Sequence, residues 1–387
     1  MKNEKTVCAK NKCTGCMACV EMCSQNAISI IDTTQNYNAV IDSQKCISCG
    51  ICTRVCQNNS ILALQRPRSW YQGWIDDEML RRESSSGGAA KAIAQQFIRD
   101  GGVVISCCFS SGKFCFRAVE DIEKLNCFTG SKYVKSNPSG VYKKIRELLR
   151  QSRKVLFIGL PCQVGAVKTV FGESERLYTV DLICHGTPSP KVLTDYLASR
   201  KVALNEVDNI SFRYKDIFGL AKDKVPLSQP GSCDNYLLAF LCGLDYTDNC
   251  YECKYAGIAR VSDITLGDSW KSDLPEKEQR QGISLIFCQT EKGEQLLKKS
   301  EMKLFPVNLE NAISANDQLK APFPKTKKHD LFFEKYPQKN FNYATFCCIP
   351  DKCIKQRIKA VLLKVKLLRG GVSYNISITK SKRTEEI

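Results

Sequence analysis

The sequence predicts a small cysteine-stapled α+β unit fused to a larger mixed α/β domain. Two observations predict it. Of the 23 cysteines in 387 residues, nine fall within the first 56, and eight of these form two copies of one pattern. Further along, apolar runs such as Lys154–Leu160 (KVLFIGL) and Leu177–Ile183 (LYTVDLI) lead into helix starts, as buried parallel strands do.

The two copies are Cys13-x2-Cys16-x2-Cys19-x3-Cys23 and Cys46-x2-Cys49-x2-Cys52-x3-Cys56, a repeat with a period of 33 residues. Three cysteines two residues apart sit on one tight loop and can take three corners of an iron–sulfur cube, while the fourth ligand comes from the other copy. By this crossing, Cys13, Cys16, Cys19 and Cys56 hold one [4Fe–4S] cluster. Cys46, Cys49, Cys52 and Cys23 hold the other. Tetrahedral zinc sites use paired cysteines instead. The proline that usually follows the fourth cysteine is replaced by Ser24 and Gln57, and Cys8 fits neither set and reads as a spare thiol. Ala27–Val40 reads as a strand pair with a polar turn, and Ser60–Leu64 as a matching short strand. A unit this small buries little core and depends on its clusters as staples. Residues 1–64 thus resemble a bacterial-type two-cluster ferredoxin.

Composition narrows the function classes. With 43% apolar and 25% charged residues, a wholly disordered chain is excluded. No apolar run approaches the roughly 18–20 residues of a membrane span, the best candidate being Tyr236–Leu244. The polar opening MKNEKTVCAKNKC has no apolar signal core, so a cytoplasmic location is expected, where so many cysteines bind metal rather than pair. Net charge is 57 − 40 = +17, which alone suggests nucleic acid, an anionic surface or an acidic partner. Each thiolate-held cube carries about −2, so three would bring the total to about +11. No nucleic-acid partner is then expected, and a zinc-stapled nucleic-acid binder is the rival reading.

Gln65–Arg82 reads as a linker with three aromatics whose tryptophans could shield a cluster. Ser84–Gly88 (SSSGG) opens a helix with apolar positions Ala89, Ala92, Ile93 and Phe97. Gly101 and Gly102 stop it, Val103–Phe109 is a strand, and Lys113–Val119 is its hairpin partner. Such a helix start can cradle a phosphate, although an ordinary Ser-capped helix is the simpler reading. Leu125–Ser136 is a polar, basic loop, and Tyr142–Arg150 a basic helix. The first buried strand runs into Pro161-Cys162-Gln163. The second runs into Cys184-His185-Gly186-Thr187-Pro188 and a helix capped by Ser189. Both cysteines lie at strand carboxyl ends, where open α/β sheets bind ligands, and helix N-termini there favour thiolates. The pair Cys250-Tyr-Glu-Cys253 precedes a strand, Asp263–Leu266, and an acidic turn at Asp268. Cys162, Cys184, Cys250 and Cys253 are enough for a third cube. On spacing alone a redox disulfide, half a zinc site or a nucleophilic cysteine stay open. Only two histidines exist, and His185 reads as a structural hydrogen-bonder or as a group tuning the neighbouring cysteine.

In order, SSSGG (84–88), GG-VV (101–104), GSKYVKS (130–136), GLPCQ (159–163), CHGTPS (184–189), CYEC (250–253) and DITLGDSW (263–270) resemble the β-subunit family of coenzyme F420-reducing hydrogenases and dehydrogenases over roughly residues 60–325. The resemblance implies an iron–sulfur flavoprotein oxidoreductase. Its third cluster would sit on Cys162, Cys184, Cys250 and Cys253, and FAD would be contacted by Ser86, Gly87, Gly88, Lys132 and Tyr133. Electrons would pass between the clusters and a FAD that exchanges hydride with a soluble, deazaflavin-like or other carrier. The implied partner is a redox protein or a hydride-carrying small molecule, and an electron-transfer relay without flavin is the alternative. The expected organisation is a ferredoxin domain (1–64), a linker (65–82), a FAD/[4Fe–4S] domain (83–345) and a basic tail (346–387). Asp351–Ile387 carries ten Lys/Arg and three acids. Ile354, Ile358, Val361, Leu362, Val365 and Leu368 fall at helical spacing among Lys355, Arg357, Lys359, Lys364 and Lys366, ending at Gly370-Gly371. A helix docked on the core with a solvated basic face is the simpler reading, and peripheral contact with an anionic membrane or an acidic partner the other.

Overall fold

The computed structural model describes residues 5–367. In the first unit, β1 (Ile28–Asp32) and β2 (Tyr37–Ile41) form an antiparallel hairpin, and short helices α1 (Ala18–Met22) and α2 (Ile51–Arg54) start inside the two cysteine runs. The 33-residue period is visible in the backbone. Gly15 and Met17 have φ of 70° and 63°, and their counterparts Ser48 and Gly50 have 56° and 71°. Alternate left-handed residues curl each loop inward. Gly15 N–H then donates to Cys13 Sγ and Ser48 N–H to Cys46 Sγ, both at 3.4 Å. Met17 and Ser48 adopt this conformation without being glycine, which costs about 1–2 kcal/mol each. The strain is stored where N–H groups must converge on sulfur.

The strand expected at Ser60–Leu64 does not form. Residues 5–7 take the hairpin edge instead: Val7 N–H donates to Ala39 O at 2.9 Å and Ile41 N–H to Lys5 O at 2.8 Å. The carbonyls of Gln57 and Ser60 accept from Lys254 Nζ of the larger domain, so this stretch docks rather than pairs.

The larger part is built on an eight-stranded mixed sheet. It begins with β3 (Ser69–Ile75), followed in the chain by α3 (Glu78–Glu83), α4 (Ala89–Arg99), β4 (Val103–Ser110) and β5 (Lys113–Val119). Then come α5 (Val141–Arg150), β6 (Val155–Gly159), α6 (Pro161–Phe171), β7 (Leu177–Leu182) and α7 (Pro190–Ala198). A side sheet of β8 (Ile210–Tyr214), β9 (Ile217–Lys222) and β10 (Val225–Pro226) and helix α8 (Asn235–Leu241) precede β11 (Ile264–Asp268), β12 (Ser284–Cys288) and β13 (Met302–Phe305). The spatial order is β13-β3-β12-β11-β7-β6-β4-β5. Four consecutive strands, β11, β7, β6 and β4, are parallel, and the flanking pairings are antiparallel. β6 is buried along its whole length, as its unbroken apolar run requires. One face packs under α4 through Ile93, Phe97, Leu156 and Ile158, the other under α5 and α6 through Ile145, Phe157 and Val164.

The stretch expected as a linker, 65–82, belongs to the sheet instead. Its centre is β3, paired with β12 on one side and β13 on the other. Trp74 is buried, stacks on Phe305 at 4.9 Å and lies 4.0 Å beneath the Arg81 guanidinium, so it is part of the sheet and shields no cluster. The strand signal was broken by Gln72 and Gly73. Gln72 is fully buried, bonding Asp273, Ser269 and Ser272. Gly73 lies so close to the β13 backbone that a Cβ would come within 2.0 Å of Lys303 O.

A second core, rich in rings, gathers Tyr196, Phe212, Tyr236, Phe332 and Phe341, and the C-terminal helix Pro350–Lys364 reaches it through Cys353. The expected stop at Gly370-Gly371 lies outside the described residues. Among the described residues no helix is long and apolar enough to cross a membrane.

Candidate iron–sulfur site

In the first unit, Cys13, Cys16, Cys19 and Cys56 line one gap, with Cys8 beside them. These are the four that the crossing pattern assigns together, and Cys56 comes from the other repeat. Burial pushes the Cys16 thiol up, and Cys8 is pushed up to about 11, first by its bond with Cys13. Cys23, Cys46 and Cys52 pack in the same small core, while Cys49 is exposed. Cys23 Sγ accepts from Ala27 N–H at 3.4 Å.

In the larger domain the parallel sheet carries the remaining cysteines. Cys162 enters from the end of β6 as the second residue of α6, and Cys184 follows β7, its parallel neighbour. Cys250 and Cys253 come from the 3-10 turn Asp248–Glu252 and its end. All four line a single cavity of about 100 Å³. Lys12, Thr14, Gln57 and Asn58 of the first unit line the same cavity. Thr14 and Gln57 directly follow Cys13 and Cys56 in the chain, so the four-cysteine cavity abuts the first gap.

The helix N-terminus was expected to favour a thiolate at Cys162, but burial dominates and pushes this thiol well above its ordinary range. Burial, then Cys250 and Cys253, push Cys184 up to about 12. Thiols so placed stay protonated unless a positive core takes the charge, so cluster binding must release protons. The side chains around them suit an anionic occupant. Lys135 is 4% exposed, sets its Nζ 3.4 Å from Thr14 O and lowers the Cys162 and Cys184 thiols from their otherwise raised positions. Asn249 Nδ2 donates to Cys250 Sγ at 3.7 Å, and the hydroxyls of Thr187 and Thr247 lie 3.8 and 3.6 Å from it. Such bonds orient a ligand sulfur and tune the centre it holds.

Among the described residues no three His, Cys, Asp or Glu side chains converge closely enough to hold a single metal ion. Zinc draws its sulfurs to about 2.3 Å from one centre. A cube spreads four thiolates over its corners, which suits four cysteines facing one cavity without converging on a point.

Docking of the first unit explains Gln57, where a proline is usual. Gln57 is 1% exposed; its Nε2 donates to Thr14 Oγ1 and Asn58 Oδ1, and its Oε1 accepts from Tyr255 Oη at 2.6 Å. Tyr142 Oη donates to Cys16 O at 2.6 Å. These docking residues carry no local motif and were missed in the sequence.

Each of the five residues named for FAD is engaged within the protein. Ser86 Oγ donates to Ile283 O at 2.9 Å. A Cβ on Gly87 would meet Gly73 O at 2.3 Å, and one on Gly88 (φ 85°) the Ile75 side chain at 2.7 Å, so these glycines serve the sheet contact. Lys132 Nζ donates to the carbonyls of Phe128, Thr129 and Gly130. Tyr133 stacks on Phe240 at 4.6 Å. Above them, Arg213 of β8 makes a two-pronged pair with Asp268, both bonds 2.8 Å, and a third bond to Ser85 O; Lys215 Nζ holds the carbonyls of Arg81, Ser84 and Ser86. Asp268, expected in a turn, is therefore the last residue of β11 and an ion-pair partner. The carbonyls of this loop are thus clamped by two cations. His185 is exposed at the cavity rim, while His329 is buried and bonds Asp248 and Tyr251.

The four-cysteine cavity falls within a stretch with known relatives. Residues 152–307 match the family described as the C-terminal part of the beta subunit of coenzyme F420 hydrogenase/dehydrogenase. That stretch is similar to this family over about two fifths of the chain. Cys162, Cys184, Cys250 and Cys253 all lie within it, and residues 12–60 in front of it match a 4Fe-4S dicluster domain. The protein is thus an iron–sulfur electron-transfer protein related to the beta subunit. Among solved structures, a chain of the F420-reducing [NiFe] hydrogenase complex from Methanosarcina barkeri is similar at 17% identity and a TM-score of 0.47, covering 72% of this chain and 97% of that one. No curated protein matches the chain.

One buried group stands apart. Asp245 is fully buried, its carboxylate finds no other side chain to bond among the described residues, and burial pushes it up to about 8. A carboxyl with a raised folded pKa contributes full stability only below its unfolded value near 4, and loses it as pH rises toward 8. Asp245→Asn is therefore expected to raise the denaturation midpoint at pH 7.5 and to leave it nearly unchanged at pH 4. Melting curves at the two pH values check this, and a lower midpoint at pH 7.5 would contradict it.

Proposed function

We propose that the protein is an oxidoreductase that relays single electrons between its two front clusters and a third cluster on Cys162, Cys184, Cys250 and Cys253, serving a hydride carrier at the far end. The observation that carries this reading is the shared cavity, in which the four cysteines and the residues following Cys13 and Cys56 face one space. When bound, such clusters supply one-electron steps. The chain's own part is to hold the thiolates, to set Lys135 and the Cys250 hydrogen bonds around them, and to keep the two units docked through Gln57, Tyr142 and Lys254. A cytoplasmic setting, where thiols stay reduced, belongs to the same reading.

The hydride end would require a flavin, as the resemblance implies. Because Ser86, Gly87, Gly88, Lys132 and Tyr133 are held by protein contacts, no step is derived through them. The test is flavin released on denaturing anaerobically purified protein. About one flavin per chain supports hydride exchange. None, in protein that still carries clusters, reduces the reading to a relay.

A further inference from the structure

The C-terminal helix Pro350–Lys364 touches its own protein along one side. Cys353 and Leu363 are buried, and between them Gln356 Oε1 accepts from the Cys233 N–H at 3.0 Å. At about 100° per residue these three positions share one face. Ile354, Ile358, Val361 and Val365, spaced by four, three and four, share the opposite face. They are 46%, 55%, 60% and 55% exposed. Among the described residues, docking on the core accounts for the first face and leaves an apolar stripe of about three turns uncovered. The simpler sequence reading, with the apolar positions turned inward, therefore holds only for the other side of the helix.

Cations border this stripe on both sides: Arg357 and Lys364 on one, Lys355 and Lys366 on the other, with Lys352 and Lys359 behind. Asp351 is the only acid between 350 and 367, which gives that segment 6 − 1 = +5. We propose that this helix seats the protein on an anionic lipid bilayer. The stripe would enter the headgroup boundary, and the long cationic side chains beside it would reach back to the lipid phosphates. The charge pattern argues against a second copy as the occupant. Pairing two such stripes would set the Arg357/Lys364 and Lys355/Lys366 rows of one helix against like-charged rows of the other. The stripe, about 17 Å long, is also far short of a standard interface of about 800 Å² per partner.

The test is co-sedimentation of the full chain with vesicles of equal parts phosphatidylglycerol and phosphatidylcholine, and with phosphatidylcholine alone. The protein should pellet with the acidic vesicles, stay in solution with the neutral ones, and be released by high salt. The variant I358S/V361S, altered only at exposed positions, should bind the acidic vesicles roughly ten-fold more weakly with unchanged circular dichroism. Failure to pellet with acidic vesicles would overturn the proposal, as would equal binding by the variant. So would a lipid-free dimer that the same variant dissociates, which would make a second copy the occupant.

Discussion

Cys250→Ser is expected to remove one cluster and leave two. Iron should fall from about twelve to about eight per chain, while the reduced front clusters keep their paramagnetic signal. Electron delivery from the front unit to a hydride-side acceptor should drop to background. Cys250 is the informative ligand because serine matches its shape, so Asn249, Thr187 and Thr247 keep partners within reach. It also lies outside the gap shared by Cys13, Cys16, Cys19 and Cys56. Cys8→Ser is the matching control. Cys8 lines that gap but belongs to neither repeat, so this variant should retain all twelve irons. Undiminished iron in Cys250→Ser would remove the third site from the account.

Arg213→Ala is expected to cost about 3–5 kcal/mol, because it strips a largely buried carboxylate of its guanidinium partner. Arg213 has 4% of its side chain exposed and Asp268 24%. Burial pulls the arginine down, but Asp268 outweighs it and holds the guanidinium above its ordinary range. The same side chain ties β8 to Ser85, so its loss frees the SSSGG loop as well. Arg213→Lys keeps the charge but not the two-pronged geometry and should fall between wild type and alanine. Denaturant melts check the order, and an alanine variant within about 1 kcal/mol of wild type would contradict it.

What the sequence made legible was what has a period. The two cysteine runs are 33 residues apart, and the left-handed pairs 15/17 and 48/50 repeat that spacing in the backbone. The nearly continuous apolar runs before Cys162 and Cys184 became adjacent parallel strands, which is why two distant cysteines line one cavity. Elements without a period were misread. β3 looked like a linker because a buried glutamine and a packing glycine interrupt it. Ser60–Leu64 looked like a strand because only the fold reveals that residues 5–7 already hold the hairpin edge. The polar partners of the site, Lys135, Tyr142 and Tyr255, come from three separate places in the chain, and no local pattern marks a residue that acts across the fold. SSSGG reads as a helix start, and no local pattern shows that its carbonyls are held by Arg213 and Lys215 from across the fold.

The proposed electron path rests on twelve cysteines holding three cubes. Iron and acid-labile sulfide counted together on protein purified without oxygen test it most directly. About twelve of each per chain is the predicted result. About eight of each would contradict the third site, and zinc with no labile sulfide would contradict the whole account.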